Sequence, residues 1–164
     1  MRTTRLWITM GCCLFAITIF AWAQANQKPG LWTITSNMTW QQSPMPNGMT
    51  MPSMGPQTTQ MCMTQAWIDK YGAPVSQSKD CLLSNVHMTA TGMTADMVCT
   101  GKTPGKATVV SSWSGGTSSS GKVHFTGSMQ MGTNSMPIEW TMVFTSAYKG
   151  ADCGKVKPLP MPSN

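Results

Sequence analysis

The chain has 164 residues, 41% of them hydrophobic and only 10% charged, with a formal net charge of +6. That length suits a single domain. The lysines are scattered and form no basic stripe, which argues against a nucleic-acid partner.

The N-terminus reads as a secretory signal. Arg2 and Arg5 supply the positive start, Leu6 to Phe20 is apolar with small interruptions, and Ala21-Trp22-Ala23 fits a small-x-small cleavage site. A second site lies at Ala23 and Ala25. The apolar run is shorter than the ~20 residues a membrane span needs, so contact with a membrane is expected only before cleavage of residues 1–23. Cys12 follows Met10-Gly11, a poor lipobox, and goes with Cys13 into the signal. The 164 residues less those 23 leave 141, and losing Arg2 and Arg5 lowers the net charge from +6 to +4.

The mature chain reads as strands. Leu31 to Trp40 alternates with period two, placing Trp32, Ile34, Met38 and Trp40 on one face and Thr33, Thr35, Asn37 and Thr39 on the other. Gln57 to Thr64 is a second strand. Gln65 to Tyr71 is the one helix expected, capped by Thr64 and stopped by Gly72 and Pro74, and stable only if Trp67 packs on the sheet. Val75 to Asp80 is a polar loop. Leu82–Thr91 and Met93–Thr100 form a tight hairpin, and Lys106–Trp113 and Lys122–Met131 another, joined by a mobile SGGTSSSG stretch. Met136 to Tyr148 alternates cleanly, with Ile138, Trp140, Met142 and Phe144 on one face. The expected domain is thus residues 24–153, with an extended or disordered Pro-rich tail over 154–164.

About seven strands with hairpin-scale connections predict an all-β fold. A wide antiparallel sheet with one apolar face must curl or close to bury it. The expectation is a strongly curved sheet or half-open barrel, with a two-sheet sandwich as the alternative. Trp32, Trp40, Trp113, Trp140, Phe125 and Phe144 are the expected core anchors. Met38, Met88, Met97, Met129, Met131 and Met142 are expected to fill core or lumen space.

The segment between the first two strands is different. Residues 43–56 read SPMPNGMTMPSMGP, with four methionines, Met45, Met49, Met51 and Met54, separated by prolines and glycines and by no charge. Pro44, Pro46, Pro52 and Pro56 exclude helix and break strand ladders, so these thioethers serve no regular core stripe. Thioether sulfur is a soft donor that favours Cu(I), which makes the four a candidate Cu(I) or Ag(I) site. Contact with a partner or ligand, and sacrificial oxidation, are the other uses.

Four cysteines remain after the signal: Cys62, Cys81, Cys99 and Cys153. In an exported chain they are expected to form two disulfides, with three connectivities open. Cys62–Cys81 would staple one short segment and leave Cys99 to Cys153, which a simple meander would put at opposite ends of the sheet unless the tail folds back. Met61-Cys62-Met63 would be a soft triad only with Cys62 reduced.

Catalytic motifs are sparse. The chain has no G-x-S-x-G elbow, C-x-x-C, zinc spacing, phosphate loop or dinucleotide fingerprint. Its two histidines, His87 and His124, fall on the polar side of their strands. Glu139, beside Trp140, is the one acid with a site-like setting, and a solvated strand residue is its simpler reading.

Lys28-Pro-Gly-Leu-Trp32 opens an ordered set that continues with the Met/Pro-rich loop, Met61-Cys-Met-Thr64, Cys81, Met97-Val-Cys-Thr-Gly101, Phe125-Thr-Gly127 and Gly150-Ala-Asp-Cys153. This set resembles the bacterial domain of unknown function (DUF) 3617 family over nearly the whole mature chain. The resemblance implies a secreted or periplasmic protein, one domain and paired cysteines, and carries over no catalytic residue. Where the family usually has an acid soon after the opening tryptophan, this chain has Thr33. The functional expectation is a non-catalytic, cofactor-free binding protein for an apolar ligand or an envelope partner. The alternatives are a Cu(I)- or Ag(I)-binding protein and a hydrolase dependent on His87 or His124.

Overall fold

The computed structural model describes residues 27–45, 55–72 and 80–161. Residues 1–23, expected to be a secretory signal, and Met49, Met51 and Met54 lie outside the described residues. Seven strands and one helix follow in chain order: β1 (Gly30–Gln42), β2 (Gln57–Met63), α1 (Gln65–Tyr71), β3 (Cys81–Met88), β4 (Gly92–Cys99), β5 (Gly105–Ser114), β6 (Ser118–Met131) and β7 (Asn134–Gly150). All strand pairs are antiparallel, in one sheet of order β2-β1-β7-β6-β5-β4-β3. No pairing joins β2 to β3, so the sheet curls without closing, and the two-sheet sandwich is excluded.

The order departs from a simple meander at one place. Strands β3 to β7 run as consecutive neighbours, but β1 and β2 add as a hairpin to the far side of β7. The sequence neighbours β2 and β3 therefore lie on opposite edges. Of the three connectivities left open, this excludes the Cys62–Cys81 staple, because those residues sit on opposite edge strands. The disulfides are Cys62–Cys153 and Cys81–Cys99. Cys81 and Cys99 are direct register partners on β3 and β4. Cys153 reaches Cys62 because β7 lies only one strand from β2 and the chain beyond it turns back across β1.

The tail over residues 154–161 packs back against the sheet. Pro158 bridges Cys62 in parallel, the Leu159 amide donates to the Cys62 carbonyl at 3.1 Å, and Leu159 packs against the core. A proline-rich strand cannot offer a full ladder to a further chain, so it blunts the β2 edge. The other edge is blunted by a bulge in β3 between Ser84 and His87, with Asn85 at φ 49° and its amide donating to Asp96 Oδ2 at 2.8 Å. Asparagine tolerates that left-handed conformation better than other side chains.

The SGGTSSSG stretch is shorter as a joint than its composition indicates. Only residues 115–117 turn, with Gly115 and Gly116 at positive φ, and Ser118 to Gly121 already belong to β6. Ser119 is buried and shares a hydrogen bond with Ser146 across the β6–β7 pair.

Helix α1 crosses the concave face from one edge toward the other. Thr64 caps it, its hydroxyl accepting from the Trp67 amide at 3.2 Å, and Gly72 ends it in the left-handed conformation. Trp67, Ile68 and Tyr71 are buried beneath it. At its C-terminal end a Cβ on Gly72 would lie 2.8 Å from Met88 Sδ and 3.0 Å from the Trp113 ring, so the helix reaches β3 and β5. With Trp32, Met63, Met93 and Trp113 it makes a core at one end of the curl. Each such large side chain contributes about 1.5–3 kcal/mol by burial.

The expected anchors divide. Trp32, Trp113, Phe125 and Phe144 are buried, whereas Trp40 and Trp140 are only partly covered. Of the strand methionines, Met97 is buried, Met38, Met88, Met129 and Met142 are intermediate, and Met131, next to the β6–β7 turn, is exposed and fills nothing.

Candidate functional site

Away from the helix, the same concave face lines a cavity of about 430 Å³. Its walls come from both edges and the middle of the sheet: Ile34 and Ser36 of β1, Thr59 and Met61 of β2, Cys81 of β3, and Met97 and Cys99 of β4. Val123 and Phe125 of β6 and Trp140, Met142 and Phe144 of β7 complete them, with Thr103 at the β4–β5 connection. Strand alternation explains the set: Trp140, Met142 and Phe144 are successive inward residues, and register places Phe125 beside Trp140 and Val123 beside Met142. Among the described residues no lining side chain is ionisable, since both cysteines are tied in the Cys81–Cys99 disulfide.

The aromatic walls are held flat by glycines. A Cβ on Gly121 would collide with the Phe144 ring and lie 2.6 Å from the Val110 carbonyl oxygen. The Phe125 ring lies over Gly105 and Gly127 in the same way. Rings lying on backbone leave room above them, and paired glycines at Gly105↔Gly127 let the sheet bend sharply. Phe125 and Trp140 stack with centroids 5.1 Å apart and planes at 11°. Met61, Met97 and Met142 bring three flexible thioethers to the remaining wall.

Ser36, Thr59 and Thr103 are the cavity's hydroxyls. None of them makes a side-chain hydrogen bond among the described residues. Thr59 is exposed and marks the mouth on the β2 side.

The other candidate residues lie elsewhere. His124 is on the convex face of β6, its Nδ1 3.1 Å from Thr141 Oγ1 and its Nε2 3.4 Å from Glu139 Oε1. Hydroxyl, imidazole and carboxylate thus stand in the order of a hydrolytic triad, but on the sheet surface turned away from the cavity. The histidine and glutamate side chains are 40% and 36% exposed, where such a pair contributes little. His87 is exposed on the outer face of β3. Met45 is on the surface, 36% exposed, just after the end of β1. Among the described residues no group of three histidine, cysteine or acidic side chains is placed to hold a metal ion.

The opening motif has a structural explanation. Gly30 sits at φ 134°, and a Cβ there would run into the carbonyl oxygen of Gly150 and lie 2.8 Å from Ala151 Cα. Only glycine fits that close approach of β1 to the end of β7. Two residues on, Trp32 is fully buried and its Nε1 donates to the Lys28 carbonyl at 2.9 Å. The motif, the two disulfides and the curled sheet are therefore one construction. A family model described as protein of unknown function, DUF3617, matches residues 27–153.

The chain belongs to the DUF 3617 family. Comparison with curated proteins gave no match, and comparison with solved structures gave none. The family match spans the described sheet from before β1 to the cysteine that closes on β2. Two disulfides fit an oxidising environment, and among the described residues no helix is long and apolar enough to cross a membrane.

Sequence reasoning placed the apolar face but not the cavity on it. Its alternation put Trp140, Met142 and Phe144 on one side, which is correct. Which part of that face α1 covers depends on the path from β2 to β3, and no local pattern carries it. The glycines Gly105, Gly121 and Gly127 were the missed signal, being inward-facing strand positions without a side chain.

Proposed function

We propose that this member of the DUF 3617 family is an exported, non-catalytic protein that binds an apolar ligand in the concave face of its curled sheet. The reading includes cleavage of residues 1–23 and a periplasmic or secreted location. The observation that carries it is the cavity of about 430 Å³ walled by Ile34, Met61, Met97, Phe125, Trp140 and Phe144, with no ionisable side chain among the described residues. Binding sites for small molecules are concave, mainly apolar and furnished with a few polar groups. A folded domain gains by covering such a surface. Here α1 packs on one end of the face, and the cavity lies at the other.

The test is fluorescence of the oxidised protein with N-phenyl-1-naphthylamine, a neutral apolar probe. Trp140 lines the cavity, so binding is expected to brighten the probe and quench tryptophan emission. Replacing Ser36→Trp puts an indole into the cavity and is expected to abolish the response. Val143→Trp, on the half-exposed convex face, is expected to leave it unchanged. No response in the unaltered protein, or equal responses in both variants, would sink the reading.

A further inference from the structure

Resting on that reading, we infer that the ligand is a single acyl chain of an amphiphile, held tail inward with its oxygen-bearing end among Ser36, Thr59 and Thr103. The cavity is blind at the helix end, where Trp32, Met63, Trp67 and Ile68 are packed to 1% exposure or less. It opens between the β2 and β3 edges, which no pairing joins to each other. Its wall along β7 runs from Trp140 to Phe144, four residues or about 13 Å at the antiparallel rise. That is a slot with one closed end.

Polarity orients the ligand. A charged head group buried without a partner is costly, and the described residues of the lining offer no ionic partner. A head group therefore stays at the mouth while the apolar chain enters. Ser36, Thr59 and Thr103 are the hydroxyl donors of the described lining, and Thr59 is exposed at the mouth, so a ligand with hydrogen-bond acceptors at its outer end is matched there. Carboxyl or ester oxygens next to an alkyl chain meet that need, whereas a pure hydrocarbon does not. Flexible thioethers at Met61, Met97 and Met142 adapt to a flexible chain better than rigid branched side chains would.

The experiment is displacement of N-phenyl-1-naphthylamine from the oxidised protein by palmitic acid, 1-palmitoyl-lysophosphatidylcholine, hexadecane and cholesterol. The two palmitoyl compounds are expected to displace it at one per protein, and hexadecane and cholesterol are not. A Ser36→Ala/Thr59→Ala variant is expected to bind palmitic acid about tenfold more weakly, the loss of one to two hydrogen bonds, with an unchanged urea midpoint as the control on folding. If the probe binds but hexadecane or cholesterol displaces it as well as palmitic acid does, the acyl assignment is overturned and the apolar-binding reading stands. Palmitic acid binding unchanged in the double variant overturns the assignment of the oxygen-bearing end. If neither probe nor lipid binds, both fall.

Discussion

Gly121 shows how a residue without a side chain can shape a binding surface. The Phe144 ring occupies the space its Cβ would take, and the Val110 carbonyl oxygen closes the other side at 2.6 Å. Gly121→Val must displace both backbone and ring, so a loss of about 1–3 kcal/mol by urea denaturation is expected, with weaker probe binding because Phe144 is pushed into the cavity. A variant as stable as the parent would show that the ring has another place to go. The loop methionines pose a separate question. Met45 lies on the surface, and Met49, Met51 and Met54 lie outside the described residues. If these thioethers hold Cu(I), changing all four to leucine removes Cu(I) uptake measured against a chromogenic chelator, and the cavity still binds its probe. Retained stoichiometric uptake would rule the loop out as a Cu(I) site.

At the scale of elements, α1 decides which half of the concave face is core and which half is cavity. Seven residues are too few to hold a helix by themselves, so α1 depends on the burial of Trp67 and Ile68, both at 1% exposure or less. Trp67→Ala is expected to cost about 3–5 kcal/mol, and Thr64→Ala, which removes the cap, about 1 kcal/mol. Urea unfolding followed by circular dichroism checks both. If the tryptophan change costs no more than the cap change, α1 is not the plug of this end. The helix was legible in the sequence, from its cap residue to its terminating Gly72, because capping and termination are local chemistry. Its path across the sheet was not, since that follows from where β3 pairs.

For the whole molecule, the disulfides report topology. Cys62–Cys153 spans 91 residues and joins the tail to the outer edge, whereas Cys81–Cys99 spans 18 and ties two adjacent strands. On chain-entropy grounds the long link stabilises by roughly 4–5 kcal/mol and the short one by roughly 3 kcal/mol. Replacing Cys62 and Cys153 with alanine is therefore expected to lower the urea midpoint more than replacing Cys81 and Cys99. The reverse order would mean that the short link, which also lines the cavity, supports the sheet by more than chain entropy. The pairing illustrates the limit of sequence spacing: Cys62 and Cys81 are near in the chain and far apart in the sheet.

By itself the sequence determined the strands, the helix, the inward faces and the pairing of all four cysteines in some order, because period-two alternation, caps and turns are properties of short segments. Trp32, Phe125 and Phe144 were legible as core for the same reason. Only the tertiary structure decided that β1 returns beside β7, that Cys62 therefore meets Cys153, that the tail covers an edge, and that the open half of the curl encloses a cavity. Each of these depends on which strand edges meet across long stretches of chain. That is settled by the simultaneous burial of a whole face, to which no local segment holds the key.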